Sequence, residues 1–193
     1  YFHKVDDPYS HLTIQCLEQL ESSYEITLKF ILVGEENLDA VHEPSLYNIY
    51  CLQDVKRIAP FYNIDFQADE YPAKELVDKA NSILTAVQSE DLIEIATKIS
   101  SALWQGDAAA LDALSSSYFA TKAEVKENLT QGNKIRDDKG YYFGSAFYYE
   151  KELYWGVDRL PHLEERLADL GAKKLHENQH ICSLELNAPK DFK

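Results

Sequence analysis

Asp7, Pro8, Tyr9 and Ser10 put a carboxylate, a phenol and a hydroxyl within four consecutive residues. Asp is favoured at a helix N-cap and Pro at the first helical position, so the spacing predicts a helix opening at Asp7 and Pro8. A helix start gathers unpaired backbone N–H groups and the positive end of the helix dipole, and together these hold an anion. A carboxylate in that field keeps its charge and is ill suited to taking up a proton. Tyr9 and Ser10 fall in the first turn, where each can face either a cleft or solvent.

The other reactive side chains are scattered. Cys16, Cys51 and Cys182 stand far apart, with no CxxC pair, and their odd number gives no disulfide framework. Cys16 and Cys51 fall on apolar helical stripes and are expected to be buried and inert, whereas Cys182 lies in a polar tail. None has the basic or helix-N-terminal setting that activates a thiol. Of His3, His11, His42, His162, His176 and His180, only the last two sit at i, i+4 spacing, in that same tail. No metal site is expected.

The bulk properties narrow the function classes. The chain has 193 residues, enough for about one domain with a substantial core. Its 19 basic and 33 acidic residues leave a net charge of −14, which disfavours nucleic acid and anionic membrane as partners. Apolar residues make up 45%, too many for a disordered chain, yet no apolar run reaches the ~20 residues of a membrane span. There is no methionine, and the chain opens at Tyr1 as if already inside a strand. Both features fit a segment of a longer protein, or a sequence from which modified methionines have dropped out.

Periodicity then gives the elements that must position these groups. Residues 1–5 read as a strand. Leu12, Cys16, Leu17, Leu20 and Tyr24 make the stripe of one helix that Ser22 and Ser23 end. Alternation over residues 25–33 marks a second strand, parallel to the first by the handedness of such crossovers. An acidic loop follows. Helices are expected at 44–59, with Tyr47, Tyr50, Cys51, Val55 and Ile58 on one face, and at 72–88, 90–104 (capped by Ser89 and stopped by Gly106), 108–118 and 122–129. Residues 141–149 and 152–155 read as a hairpin turning at Glu150 and Lys151. Asp158 is the expected cap of a last helix, whose stripe is Leu160, Leu163, Leu167 and Leu170 and whose C-cap is Gly171. A brief alternation at Ile181, Leu184 and Leu186 leaves an edge strand or a linker open. The fold class is therefore α/β: β-α-β, an all-helical insert, then β-β-α. Residues 1–43 and 130–175 form a discontinuous thioredoxin-like domain, 44–129 the inserted helical domain, and 176–193 a tail or linker.

Three stretches carry a family likeness. Val5-Asp6-Asp7-Pro8-Tyr9-Ser10-His11-Leu12 is similar to a strand-to-helix turn that reads Ser-Pro-Tyr-Ser, or Cys-Pro-X-Cys in dithiol members. Leu103-Trp104-Gln105-Gly106-Asp107 resembles a tryptophan, glycine and acidic turn in the helical domain. Tyr142-Phe143-Gly144-Ser145-Ala146-Phe147 with Leu153-Tyr154-Trp155-Gly156-Val157-Asp158-Arg159-Leu160 resembles Gly-Val-Pro-Thr-Phe, a hairpin, and Phe-Trp-Gly-Gln-Asp-Arg-Leu. The chain thus resembles the DsbA superfamily, and within it the branch of 2-hydroxychromene-2-carboxylate isomerases and kappa-class glutathione transferases.

The resemblance implies a site and also its alteration. Asp7 stands where the family has a reactive cysteine or a glutathione-activating serine, and Ser10 where a second cysteine would be; both are the candidate catalytic residues. Pro8, Tyr9, Ser145, Ala146, Asp158 and Arg159 are the implied substrate-binding residues. Ala146 replaces a cis-proline, so the Ser145–Ala146 bond is expected to be trans. Val157 replaces a polar residue used on glutathione. The hairpin is one residue short between Gly144 and Trp155, which either a methionine lost after Ala146 or a shorter turn explains. An Asp at position 7 cannot exchange disulfides and would repel a thiolate by about 1 kcal/mol at ~4 Å in water, and by more when partly buried.

Three readings follow from this. One is a family homologue without dithiol chemistry that binds a small ligand or partner. Another is a glutathione-dependent isomerase or transferase, with glutathione the implied cofactor. The third is a noncatalytic interaction module, half of a tandem-domain protein. The family's habits imply a cytoplasmic home, with the periplasm open, and a homodimer or an adjacent domain as partner.

Overall fold

The computed structural model describes residues 1–35, 41, 43–87 and 91–174. The chain begins with β1 (Phe2–His3), α1 (Pro8–Ile14), α2 (Leu17–Ser23) and β2 (Ile31–Leu32). A helical block follows: α3 (Pro44–Ile58), a 3₁₀ turn (Ala59–Tyr62), α4 (Lys74–Ala86), α5 (Leu92–Trp104), α6 (Ala108–Ser115) and α7 (Lys122–Asp137). The chain returns through β3 (Ala146–Tyr149), β4 (Glu152–Trp155), a 3₁₀ turn (Val157–Arg159) and α8 (Leu160–Asp169). The sheet order is β2-β1-β3-β4, with β1 parallel to β2 and the other pairs antiparallel. This is the expected α/β architecture, a thioredoxin-like fold with a helical insert.

The departures from expectation have local causes. The single first helix is two. Gln15 turns its side-chain amide back onto the His11 carbonyl (3.0 Å) and across to the Asp65 carbonyl (3.0 Å), so it takes the acceptor that the next helical turn needs. The break puts Cys16 at the N-cap of α2, a helix-N-terminal setting the sequence had not suggested for any cysteine. The first two strands are shorter than the alternation implied. β1 leaves the ladder at Lys4, whose carbonyl accepts the Asp7 N–H at 3.2 Å, and β2 pairs with no other strand among the described residues. The 141–149 segment enters the sheet only at Ala146.

Helix α7 runs eight residues past the expected end at Leu129. Its second half is polar and shows no apolar stripe. What holds it is Gly132, where an added Cβ would lie 1.9 Å from the Leu32 carbonyl oxygen. The glycine lets α7 lie directly on β2. Asn133 adds a 2.8 Å side-chain hydrogen bond from the Gly34 N–H.

At the other end, Asp158 does not cap α8. It sits inside the 3₁₀ turn, and Arg159 holds the N-cap position without a side-chain cap bond. Gly171 follows the helix with φ +76°, the expected left-handed stop. Leu160, Leu163 and Leu167 are buried, but Leu170 is exposed, as is Tyr50 on α3. The main core joins Leu12, Leu17 and Leu20 to Val55, Ile83, Ile99, Leu103 and Leu160, so the helical block and the sheet side share one interior. The Ser89 cap, the tail strand, and the expectations for His42, His176, His180 and Cys182 lie outside the described residues.

Candidate functional site

The β1–α1 turn delivers Asp7 to the start of α1. Its backbone is extended, and its carboxylate accepts from the Tyr9 N–H (3.2 Å), the Ser10 N–H (3.0 Å) and the Ser10 hydroxyl (2.7 Å). The Ser10 oxygen in turn accepts from the Lys4 N–H at 3.3 Å. Ser10 is fully buried. Gly144 closes over the pair. A Cβ at that position would lie 3.0 Å from both the Asp7 Oδ2 and the Ser10 Oγ, and 2.8 Å from the Lys4 Cβ. The two candidate catalytic residues are therefore together, but as a hydrogen-bonded helix cap under backbone.

The implied substrate-binding residues divide. Pro8 is buried at the first turn of α1. Tyr9 is buried too, and its phenol donates to the Asp54 carboxylate at 2.8 Å. Burial first, then that hydrogen bond, raises the pKa of Tyr9 well above that of a free tyrosine. Ser145 and Ala146 are fully buried, so neither side chain can reach a ligand. Ser145 has φ +54°, a left-handed conformation uncommon for a serine, and its hydroxyl pairs with Thr13 at 2.8 Å. Its carbonyl accepts the Gly156 N–H at 2.7 Å, and Ala146 lies in register with both Phe2 and Trp155. The backbone at this turn is therefore engaged within the sheet and its flanking turn. No cis peptide bond occurs among the described residues. Asp158 and Arg159 are exposed and face each other at 3.8 Å, and Val157 is buried.

Around this cap stands an aromatic shelf drawn from α1, α3, β4 and the segment before β3. Tyr9 lies 5.2 Å from Trp155, Trp155 is stacked on Phe143 at 5.8 Å, and Phe143 is stacked on Tyr47 at 5.8 Å. Trp155 is 37% exposed, and Leu46, Ile49 and Tyr50 of α3, the helix that carries Tyr47, are each more than half exposed.

Cys51 lies beneath this shelf. Burial raises the pKa of its thiol to about 11, with the Asp7 and Asp54 charges adding to the rise and hydrogen bonds from Tyr47 and Tyr9 opposing it. Cys16 is buried, its sulfur 4.0 Å from the Leu12 carbonyl. Tyr141 approaches from the other side. Its hydroxyl is buried with no hydrogen-bond partner among the described residues, and burial, then Asp7, raises its pKa. Among the described residues no three metal-ligating side chains gather. Residues 176–180 read His-Glu-Asn-Gln-His, the spacing of a helical zinc motif, which runs against the expectation of no metal site, and they lie outside the described residues.

A separate cleft of about 1090 Å³ opens on the far flank of the same turn. The β1–α1 turn and the chain after β2 form one wall, and α4 and α7 the other; Asp7, Ser10, Ser145 and Asp158 do not line it. No helix among the described residues is long and apolar enough to cross a membrane.

No protein-family model matches the chain, and no curated protein does. Among solved structures it is similar to selenomethionine-labelled 2-hydroxychromene-2-carboxylate isomerase (HCCA isomerase). The TM-score is 0.59 and the identity 17%, over 88% of this chain and 94% of that one. The likeness establishes the fold, a thioredoxin-like sheet with a helical insert.

Proposed function

We propose that this chain is a thioredoxin-fold protein without thiol–disulfide chemistry at its first helix, and that it binds a small ligand or partner on the aromatic shelf beside that helix. One observation carries the reading. The Asp7 carboxylate is committed to three donors of α1, and its only hydroxyl neighbour among them, Ser10, is buried beneath Gly144. A group held this way neither attacks a disulfide nor accepts a proton from a substrate thiol. The exposed Trp155, Leu46, Ile49 and Tyr50 then supply an apolar surface of the kind that marks recognition sites.

A second reading keeps the chemistry of the HCCA isomerase type. In it glutathione sits over the shelf, with Asp158 and Arg159 as its polar contacts and the cytoplasm as its home. Their exposure next to Trp155 favours it. The two readings part in a simple assay. Under the first, the purified chain does not accelerate reduction of insulin disulfides by dithiothreitol. A Cys182→Ser form then shows no thiol reacting with Ellman's reagent at pH 8 until it is unfolded. Catalysed insulin reduction, or rapid labelling of Cys16 or Cys51 in the native chain, would overturn the first reading.

A further inference from the structure

We propose that the cleft between α4 and α7 is a second ligand site, distinct from the shelf, for an amphipathic organic monoanion. Its head group sits on Lys122 and Lys126, and its apolar body lies against Phe119, Val77, Val125 and Leu129.

The charges at this cleft run against the character of the chain. Acidic residues outnumber basic ones 33 to 19 in the chain, yet five lysines line this cleft against three carboxylates, Asp6, Glu35 and Asp78. Three of these lysines are paired: Lys4 with Asp6 at 2.9 Å, Lys74 with Asp78 at 3.5 Å, and Lys79 with Asp112. Lys122 and Lys126, one turn apart on α7, have no ion-pair partner among the described residues, and both line the cleft. Two unneutralised cations side by side repel each other, and a bound anion relieves that repulsion.

The wall beside them is apolar. Val77, Val125 and Leu129 line it, and Phe119 stands at its edge 73% exposed. A neutral ligand would leave the lysines unused, and an inorganic anion would leave Phe119 in water. Asp6, Glu35 and Asp78 are on the same surface and disfavour a highly charged ligand. An apolar body with one carboxylate or sulfonate satisfies all of these groups.

The walls are already fixed. Ser82 of α4 binds the Ala120 backbone at both ends, donating to its carbonyl (2.7 Å) and accepting its N–H (3.1 Å). Asn128 of α7 donates to Thr85 of α4 at 3.2 Å, and Asn133 holds Gly34 at 2.8 Å. Binding therefore needs little ordering of the backbone, and the volume suits a drug-sized molecule.

The test uses the whole chain and 8-anilinonaphthalene-1-sulfonate as the probe. The expected result is one saturable site. Lys122→Gln with Lys126→Gln weakens it about tenfold or more, as loss of a charged anchor does, while Lys134→Gln on the outer part of α7 and Ile49→Ser on the shelf leave it unchanged. Dodecanoate and 1-naphthoate serve as competing arms; displacement by either one, but not by dodecanol, supports the proposal and tells an alkyl occupant from an aryl one. Absence of saturable binding, equal binding by the double variant, loss of binding in Ile49→Ser, or displacement by dodecanol would each overturn it. The Ile49 arm also separates this site from the shelf.

Discussion

The Ser10 hydroxyl donates to the Asp7 carboxylate across 2.7 Å, and Gly144 lies over both. The resemblance of the sequence to the DsbA superfamily implies a reactive thiol or serine at this position. Here the polar atoms look at one another. The arrangement turns the most reactive point of the fold into a means of starting α1.

If that is the role of Asp7, its loss should appear in stability. Asp7→Ala removes the cap and leaves the buried Ser10 hydroxyl without its acceptor. The expected cost is about 1–3 kcal/mol, read as a lower urea midpoint at unchanged slope. Asp7→Asn, which can still accept from the helix N–H groups, should recover a good part of it.

Gly132→Ala offers the opposite of the usual rule. Alanine in place of a helix-interior glycine ordinarily stabilises by about 1 kcal/mol. At Gly132 the new methyl would meet the Leu32 carbonyl at 1.9 Å, so α7 must move off β2. The variant is expected to melt several degrees below the native chain; a rise in Tm would show that α7 does not lie on the strand.

Two buried histidines set an acid limit. Burial holds His3 down to about 3 and His11 down to about 4, against about 6.5 when unfolded. Below the unfolded value the unfolded chain binds protons that the folded chain refuses, so stability falls as pH drops below about 6.5, down to about pH 4 for His11 and about pH 3 for His3. At pH 5 each imidazole should cost about 2 kcal/mol. His11→Gln should flatten the fall of Tm between pH 7 and 5 by roughly half, since His11 is one of the pair; an unchanged slope would mean that His11 does not titrate there.

The fold was legible because its signals were local. Asp7 before Pro8 marked α1, alternation marked the strands, and Trp155 through Leu160 marked the turn into α8. What escaped depended on contacts distant in sequence. The α1–α2 break comes from Gln15 reaching the Asp65 carbonyl, and the length of α7 from Gly132 meeting Leu32, and neither partner is visible from periodicity. The candidate site was half legible. Asp7 and Ser10 were found as a pair, but the burial of Ser145 and Ala146 follows from their place between β1 and β4, which the family pattern does not supply. The lysine pair of α7 was readable at i, i+4 spacing, yet nothing in the sequence says which of the 19 basic residues lack a carboxylate.

The central claim is that the Asp7 carboxylate belongs to the helix and leaves no place for a thiolate. Calorimetric titration of the native chain with reduced glutathione near neutral pH tests it directly, with Asp7→Ser as the companion protein. No saturable heat from the native chain is the expected result, and binding that emerges only in Asp7→Ser would identify the carboxylate as what blocks the pocket. Micromolar binding of glutathione by the native chain would contradict the account.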